Sequence, residues 1–250
     1  MTVNINTTLD RADLERPDVA PTARDLKRWV WRWRCSGTPL GVNGAVKRRW
    51  YVRWHKMWEY SRGLAYTGAS RPARQGGGGA MQILDVGGAM TMPVFYLAGL
   101  GDRVVVLDIN EPMTRQMNDI ARARGLKIDG RTTNLVDEDV TAEQLGAPGG
   151  FDRVYCFCVI EHIPMPGQAV AARRMAGLLK PGGQMCITFD FGEHAPTEQP
   201  LYTMEHVHAI REAIGLPLIG GEFEDNGQRF PLNRKWPDKQ YTFGSMFFRK

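Results

Sequence analysis

Ile83-Leu84-Asp85-Val86-Gly87-Gly88-Ala89-Met90-Thr91 reads as a buried strand running into a tight turn that opens a helix. Met81 to Val86 is apolar on both faces apart from Gln82 and Asp85, as in a central strand of a parallel sheet covered on both sides. Two glycines follow at once. They let the backbone turn at positive φ and let a ligand approach the main chain without a Cβ in the way, while the next helix offers unpaired N–H groups. That is the build of a nucleotide-type cofactor site at the carboxyl edge of a doubly wound sheet.

The following strand strengthens this reading. Arg103-Val104-Val105-Val106-Leu107-Asp108 is a β-branched run ending in an acid, and Asp108 lies 21 residues after Gly87. A carboxylate there can accept both hydroxyls of an adenosine ribose, and its distance along the chain is what the length of a βαβ unit dictates. The same geometry would serve NAD, but no Gly-x-x-Gly spacing remains for a pyrophosphate. From Thr91 onward helices and strands alternate. Asn110 caps a helix with Pro112 in its first turn and a stop before Gly125. A third strand leads to Thr133-Asn134-Leu135, and Thr141 with Gln144 makes a capping box. Phe151 to Cys158 is a fourth strand, followed by Val159-Ile160-Glu161-His162-Ile163. A helix then ends at Lys180-Pro181-Gly182-Gly183 before a fifth strand, Gln184 to Phe189. Tyr241 to Phe248 alternates as an antiparallel edge strand should.

This order of motifs resembles the class I S-adenosylmethionine-dependent methyltransferases over about residues 81 to 190. The first motif matches in part: Asp85 and Gly87 fall in place, while Ala89 and Thr91 stand where two further glycines are usual. The Glu-His pair after two aliphatic residues and the Pro-Gly-Gly turn match more closely. The resemblance implies an α/β fold with a doubly wound, mostly parallel seven-stranded sheet (Rossmann-like), and S-adenosylmethionine as cofactor. It places Asp85, Gly87, Gly88 and Ala89 at the cofactor loop, with Asp108 and Ile109 at the ribose. Asn134 and Leu135 fall at the adenine, and Cys158 and Val159 at the methyl-bearing side. Tyr60 and Arg62, in a segment before the first strand, would fold over the methionine end, Arg62 pairing with the carboxylate. Glu161 and His162 are the nearest groups able to move a proton, although such a pair also serves to hold the following helix. Asp190, at the end of the fifth strand, borders the acceptor side.

The N-terminal part differs in kind. Residues 1–20 are polar and without periodicity, so a mobile tail is expected. Residues 21–66 read as a basic, tryptophan-rich helical cap. Its first helix starts from a Thr22/Asp25 capping box and runs past Trp33. Its second runs from about Ala45 to Tyr60, capped by Asn43, with Trp50, Trp54 and Trp58 forming a stripe. Between Arg24 and Arg62 stand eleven Lys or Arg against Asp25 and Glu59, a net +9 in a chain whose total is +5. Basic charge interleaved with tryptophan suits nucleic acid, an anionic membrane surface or an acidic acceptor. It suits equally a cap whose indoles pack on the sheet while Arg stems snorkel outward. Residues 67–80, with Gly76 to Gly79, read as a linker, and 81–250 as the methyltransferase domain.

With 43% hydrophobic residues the chain can bury one core plus an appendage, and it has no apolar run long enough to span a bilayer. With no basic-then-apolar leader pattern, a cytoplasmic protein is expected. Cys35, Cys156, Cys158 and Cys186 show no metal-ligand spacing, and His206 and His208, at i and i+2 on a helix, make a poor ligand pair, so no metal is expected. The expected activity is methylation, through oxygen, of a small-molecule, glycan or lipid-linked acceptor. Methylation of RNA or protein through the basic segment, or a non-catalytic cofactor-binding module, are the alternatives.

Overall fold

A computed structural model describes residues 4–42, 45–47, 52–74, 79–193, 195, 201, 203–233, 235 and 237–250. Asn43, Trp50 and Gly76 to Gly78, invoked above, lie outside these. The described strands and helices are β1 Thr7–Thr8, α1 Ala20–Cys35, β2 Leu40–Val42, β3 Ala45–Lys47, α2 Trp54–Tyr66, β4 Gln82–Val86, α3 Met92–Gly99, β5 Arg103–Asp108, α4 Glu111–Arg124, β6 Ile128–Thr132, β7 Phe151–Phe157, α5 Met165–Leu178, β8 Leu179–Phe191, α6 Met204–Ile214 and β9 Thr242–Arg249.

Seven strands form one sheet in the order β1-β9-β8-β7-β4-β5-β6, and β2 pairs with β3 as a separate hairpin. Strands β4 to β8 are mutually parallel, and β9 runs antiparallel to both of its neighbours. The chain therefore winds outward from β4 in one direction through β5 and β6, and in the other through β7 and β8. The topological switch, where a ligand cleft opens in such sheets, lies at the carboxyl ends of β4 and β7. Alternate residues of the central strands feed opposite faces: Leu84, Val86 and Val105 pack beneath α5 and α6, whereas Ile83, Val104 and Val106 pack with Leu26, Trp33 and Phe95. Among the described residues no helix is long and apolar enough to cross a membrane.

Local punctuation behaves as the sequence suggests where the signal is local. Asn110 caps α4 by accepting from the Met113 amide at 3.1 Å, and Gly125 ends it in the left-handed region at φ +63°. Thr141 and Gln144 make both bonds of their box, at 2.7 and 3.2 Å, although around a turn instead of a helix. Lys180 to Gly183 bulges out of β8, so that Phe151 pairs with Leu179 but Arg153 with Gln184.

The N-terminal expectations need correction. Described residues 4–20 pack on the domain. β1 covers the outer edge of β9, so β9 is antiparallel but not the sheet edge. Leu9 and Val19 are fully buried, and Asn6 donates to the Ile219 and Gly221 carbonyls and accepts from the Phe247 amide. The polar composition there reflects side chains that pair with distant backbone instead of water. α1 has no capping box: Thr22 bonds Ser70 at 2.8 Å and Asp25 accepts from the Tyr96 hydroxyl at 2.8 Å. The second helix begins at Trp54, after the β2–β3 hairpin, and extends to Tyr66. Of the segment called a linker, Thr67, Ala69 and Ser70 are buried, and Arg74 forms an ion pair with the buried Asp102.

Candidate functional site

The turn after β4 is shaped around the Asp85 carboxylate. Asp85 is 1% exposed, and neither of its oxygens has a hydrogen-bond partner among the described residues. Any Cβ at position 88 would fall on that carboxylate, so Gly88 is required sterically. At Gly87, φ is +76° and a Cβ would come within 2.5 Å of Val159. Burial first, and the neighbouring Asp108 second, push Asp85 up to about 8, with the Gly88 amide opposing them. Asp108 is held differently, its oxygens accepting the Ala89 amide at 3.0 Å and the Asn110 amide at 2.8 Å. The residue after it, Ile109, is 74% exposed, an uncovered apolar side chain beside an acid.

Beyond β7 the backbone turns through Cys158, a non-glycine residue at φ +53°. Its amide donates to the Thr188 carbonyl at 3.0 Å, and its thiol donates to Glu59 Oε2 at 2.9 Å. The same Glu59 oxygen accepts the Thr188 hydroxyl at 2.8 Å, and Lys56 Nζ lies 2.9 Å from Glu59 Oε1. Glu161, also fully buried, accepts the Asp190 amide at 3.1 Å through Oε1, while its Oε2 has no hydrogen-bond partner among the described residues. Burial raises both Glu161 and Asp190 toward neutrality. Asp190 raises Glu161 further, and Lys56 opposes the shift of both. Tyr60 is buried edge-on against Phe157 at 5.3 Å, and burial raises its phenol. Tyr241 is buried close enough to Asp190 and Cys158 for both to raise its phenol, after burial itself. Lys56 Nζ sits 5.1 Å from the centre of the Phe243 ring.

Two groups of side chains thus meet at the switch point. One is Asp85, Gly87, Gly88, Ala89 and Asp108, with Ile109 at its rim. The other is Lys56, Glu59, Tyr60, Cys158, Glu161 and Asp190, brought together where α2 crosses the ends of β7 and β8. Ligand atoms of Cys158, Glu161 and Asp190 lie within 4.8 Å of one another, a set a metal ion could use, but Lys56 already brings positive charge beside them. An open groove of about 700 Å³ lined by Arg173, Arg174 and Lys250 is at the opposite, amino-terminal edge of β7 and β8.

Several expected residues sit elsewhere. Arg62 does not face the site: it is buried against Asp13, the Ile5 carbonyl and the Trp58 ring. A guanidinium buried on that side of α2 already has its anion. His162 is exposed on the same turn that buries Glu161. The Asn134 side chain closes an Asx turn, accepting from the Val136 amide at 3.0 Å and donating to Asp137 at 2.6 Å. Leu135 is buried in the core, whereas Val159, at the core's margin, stays beside the Gly87 turn. Lys56 and Glu59 carried no functional expectation. Their only sequence signal is an opposite-charge pair at i, i+3 beside Tyr60.

The buried, unpartnered carboxylate of Asp85, the cradle that a Cβ at Gly88 would fill and the amide-held acid at Asp108 together fit a nucleoside cofactor bearing an amino-acid end. Comparison with known proteins agrees. Residues 83–183 match the family model described as a methyltransferase domain. A ubiquinone biosynthesis O-methyltransferase of Xanthomonas euvesicatoria pv. vesicatoria is 33% identical over 107 residues, 43% of this chain and 42% of that protein. The chain thus matches well under half the length of this curated relative. Among solved structures, the 1,6-didemethyltoxoflavin-N1-methyltransferase of Burkholderia thailandensis, with bound S-adenosylhomocysteine, is 17% identical with TM-score 0.56 over 93% of this chain and 90% of that one. The [4+2]-cyclase SpnF is 14% identical with TM-score 0.58 over 100% and 99%, so the shared fold alone does not define a reaction. Residues 83–183 thus carry the likeness to the methyltransferase-domain family, and the doubly wound sheet built around them has the fold of the solved methyltransferase.

Proposed function

We propose that the protein transfers a methyl group from S-adenosylmethionine to an acidic hydroxyl, phenolic or enolic, of a small molecule. The observation that carries this reading is the Lys56 ammonium set beside Asp190, at the cofactor end of the sheet. Asp85, Gly88 and Asp108 would hold the cofactor, which supplies an electrophilic methyl on a good leaving group. Because that leaving group needs no help, alignment and exclusion of water contribute most of the rate. The chain's own part is to ready the acceptor. Asp190, raised by burial above an ordinary carboxylate, is a better base than one and suits the proton of an acidic hydroxyl of pKa about 8–10; an ordinary alcohol would be out of its range. Lys56 then stabilises the oxygen's negative charge. The name of the Xanthomonas relative, an O-methyltransferase, supports oxygen as the acceptor atom.

Transfer of labelled methyl to a panel of phenols, enols, aliphatic alcohols, amines and RNA tests the reading. Phenols or enols should be methylated, and Asp190→Asn should lower turnover about 100-fold with cofactor affinity kept. Lys56→Met should slow the reaction most for the least acidic acceptors. Preferential labelling of amines or RNA, or no binding of either sulfur nucleoside, would overturn it.

A further inference from the structure

The outward face of α1 plays no part in the site. Arg24, Lys27, Arg28, Trp31 and Arg32 are all exposed and recur at helical spacing, so at 100° per residue they fall on one continuous stripe with Trp31 near its centre. Trp31 is 68% exposed, whereas Trp33, on the opposite face, is buried against Phe95. Arg28 reaches only 4.0 Å from Asp25, and Arg24, Lys27 and Arg32 have no ion pair among the described residues. An indole is costly to leave in water, and cations crowded on one stripe repel one another. Both features point to an absent partner.

We infer that this face of α1 docks the protein on an anionic lipid surface. A single convex helix with cations flanking one central aromatic suits the headgroup layer, where the indole enters the acyl boundary and the guanidinium and ammonium groups meet lipid phosphates. A polynucleotide is less well matched, because base stacking on a strand uses several aromatic platforms along a groove, and α1 presents one exposed indole on a ridge.

The test uses the full chain with vesicles of phosphatidylcholine alone and of phosphatidylcholine with phosphatidylglycerol, at low and at physiological ionic strength, and with a single-stranded RNA as comparison. Binding should be confined to the anionic vesicles and weaken with salt. The paired change Arg28→Gln, Arg32→Gln should weaken partitioning roughly thirtyfold, since two surface cations are lost, each worth about 1 kcal/mol of attraction. Trp31→Ala should weaken it several-fold. Comparing wild type with Trp31→Phe should show that the vesicle-induced blue shift belongs to Trp31. All these side chains are exposed, so melting temperatures and methyl transfer to a soluble acceptor should not move. Absence of binding to anionic vesicles, partitioning unchanged in the variants, or tight salt-sensitive RNA binding without lipid binding would each overturn the inference.

Discussion

Asp85 and Asp108 end adjacent strands, and yet their surroundings differ. Asp108 accepts two backbone amides, while Asp85 is buried with both oxygens unpartnered. Both positions were legible in the sequence because the βαβ unit fixes them locally. Lys56 and Glu59 were not, because their partners Cys158, Thr188 and Asp190 lie far along the chain, the nearest of them 99 residues from Glu59. The buried acids also give the stability a predictable pH dependence. Asp85 titrates near 8 in the folded protein, against about 4 unfolded, and burial moves Glu161 and Asp190 in the same direction. Between those values these groups bind more protons in the native state than in the unfolded one, so their contribution to stability is full below about pH 4 and falls as pH rises toward 8. Each such group adds at most about 1.4 kcal/mol per pH unit to the slope. Denaturant unfolding of Asp85→Asn across this range should show a shallower fall, and a gain over wild type at pH 8. A slope equal to that of wild type would mean that Asp85 is ionised in the folded state.

Helix α2 shows how one element serves two sides at once. Towards the cleft it presents Lys56, Glu59 and Tyr60; away from it, Arg62 is clamped by Asp13, with the Trp58 indole donating to the same carboxylate at 2.9 Å. Between them Gly63 lets the helix approach the sheet, since a Cβ there would come within 2.6 Å of the Phe157 ring. Amphipathic periodicity identifies such a helix but cannot say which face meets the cofactor. Here it also misplaced the start by about nine residues, because the β2–β3 hairpin takes up the preceding stretch. Arg62→Met tests the assignment. It would leave Asp13 with only the more distant Arg16, at 3.8 Å, as a cation, a loss of about 3 kcal/mol at the low end for a broken buried pair, so the melting temperature should drop while the folded fraction binds cofactor as wild type does. A variant of unchanged stability with weakened cofactor binding would instead return Arg62 to the methionine end of the site.

At the scale of the molecule, the doubly wound sheet was legible because each strand and helix of residues 81–190 carries its own period and its own turn signals. The fixing of residues 4–20 was not, since the groups that hold them are more than two hundred residues away: Asn6 bonds Ile219, Gly221 and Phe247, and Thr8 bonds Asp225 and Asn226. A polar, aperiodic stretch looks disordered when its hydrogen-bond partners cannot be seen. These residues close the sheet instead. Without β1 the outer edge of β9 would present unpaired backbone groups and buried phenylalanines to solvent, the usual template for association, and Arg62 would lose both Asp13 and the Ile5 carbonyl. Removing residues 4–16 should therefore leave a protein that aggregates or melts far below the parent, whereas loss of a mobile tail would change neither property. A single substitution makes the same argument without a new terminus. Asn6→Ala strips partners from two carbonyls and one amide, and should cost about 2–4 kcal/mol, since each buried group left unsatisfied contributes roughly 1–3 kcal/mol before relaxation. A midpoint in denaturant within error of wild type would show that the strand is dispensable, and that the sheet ends at β9.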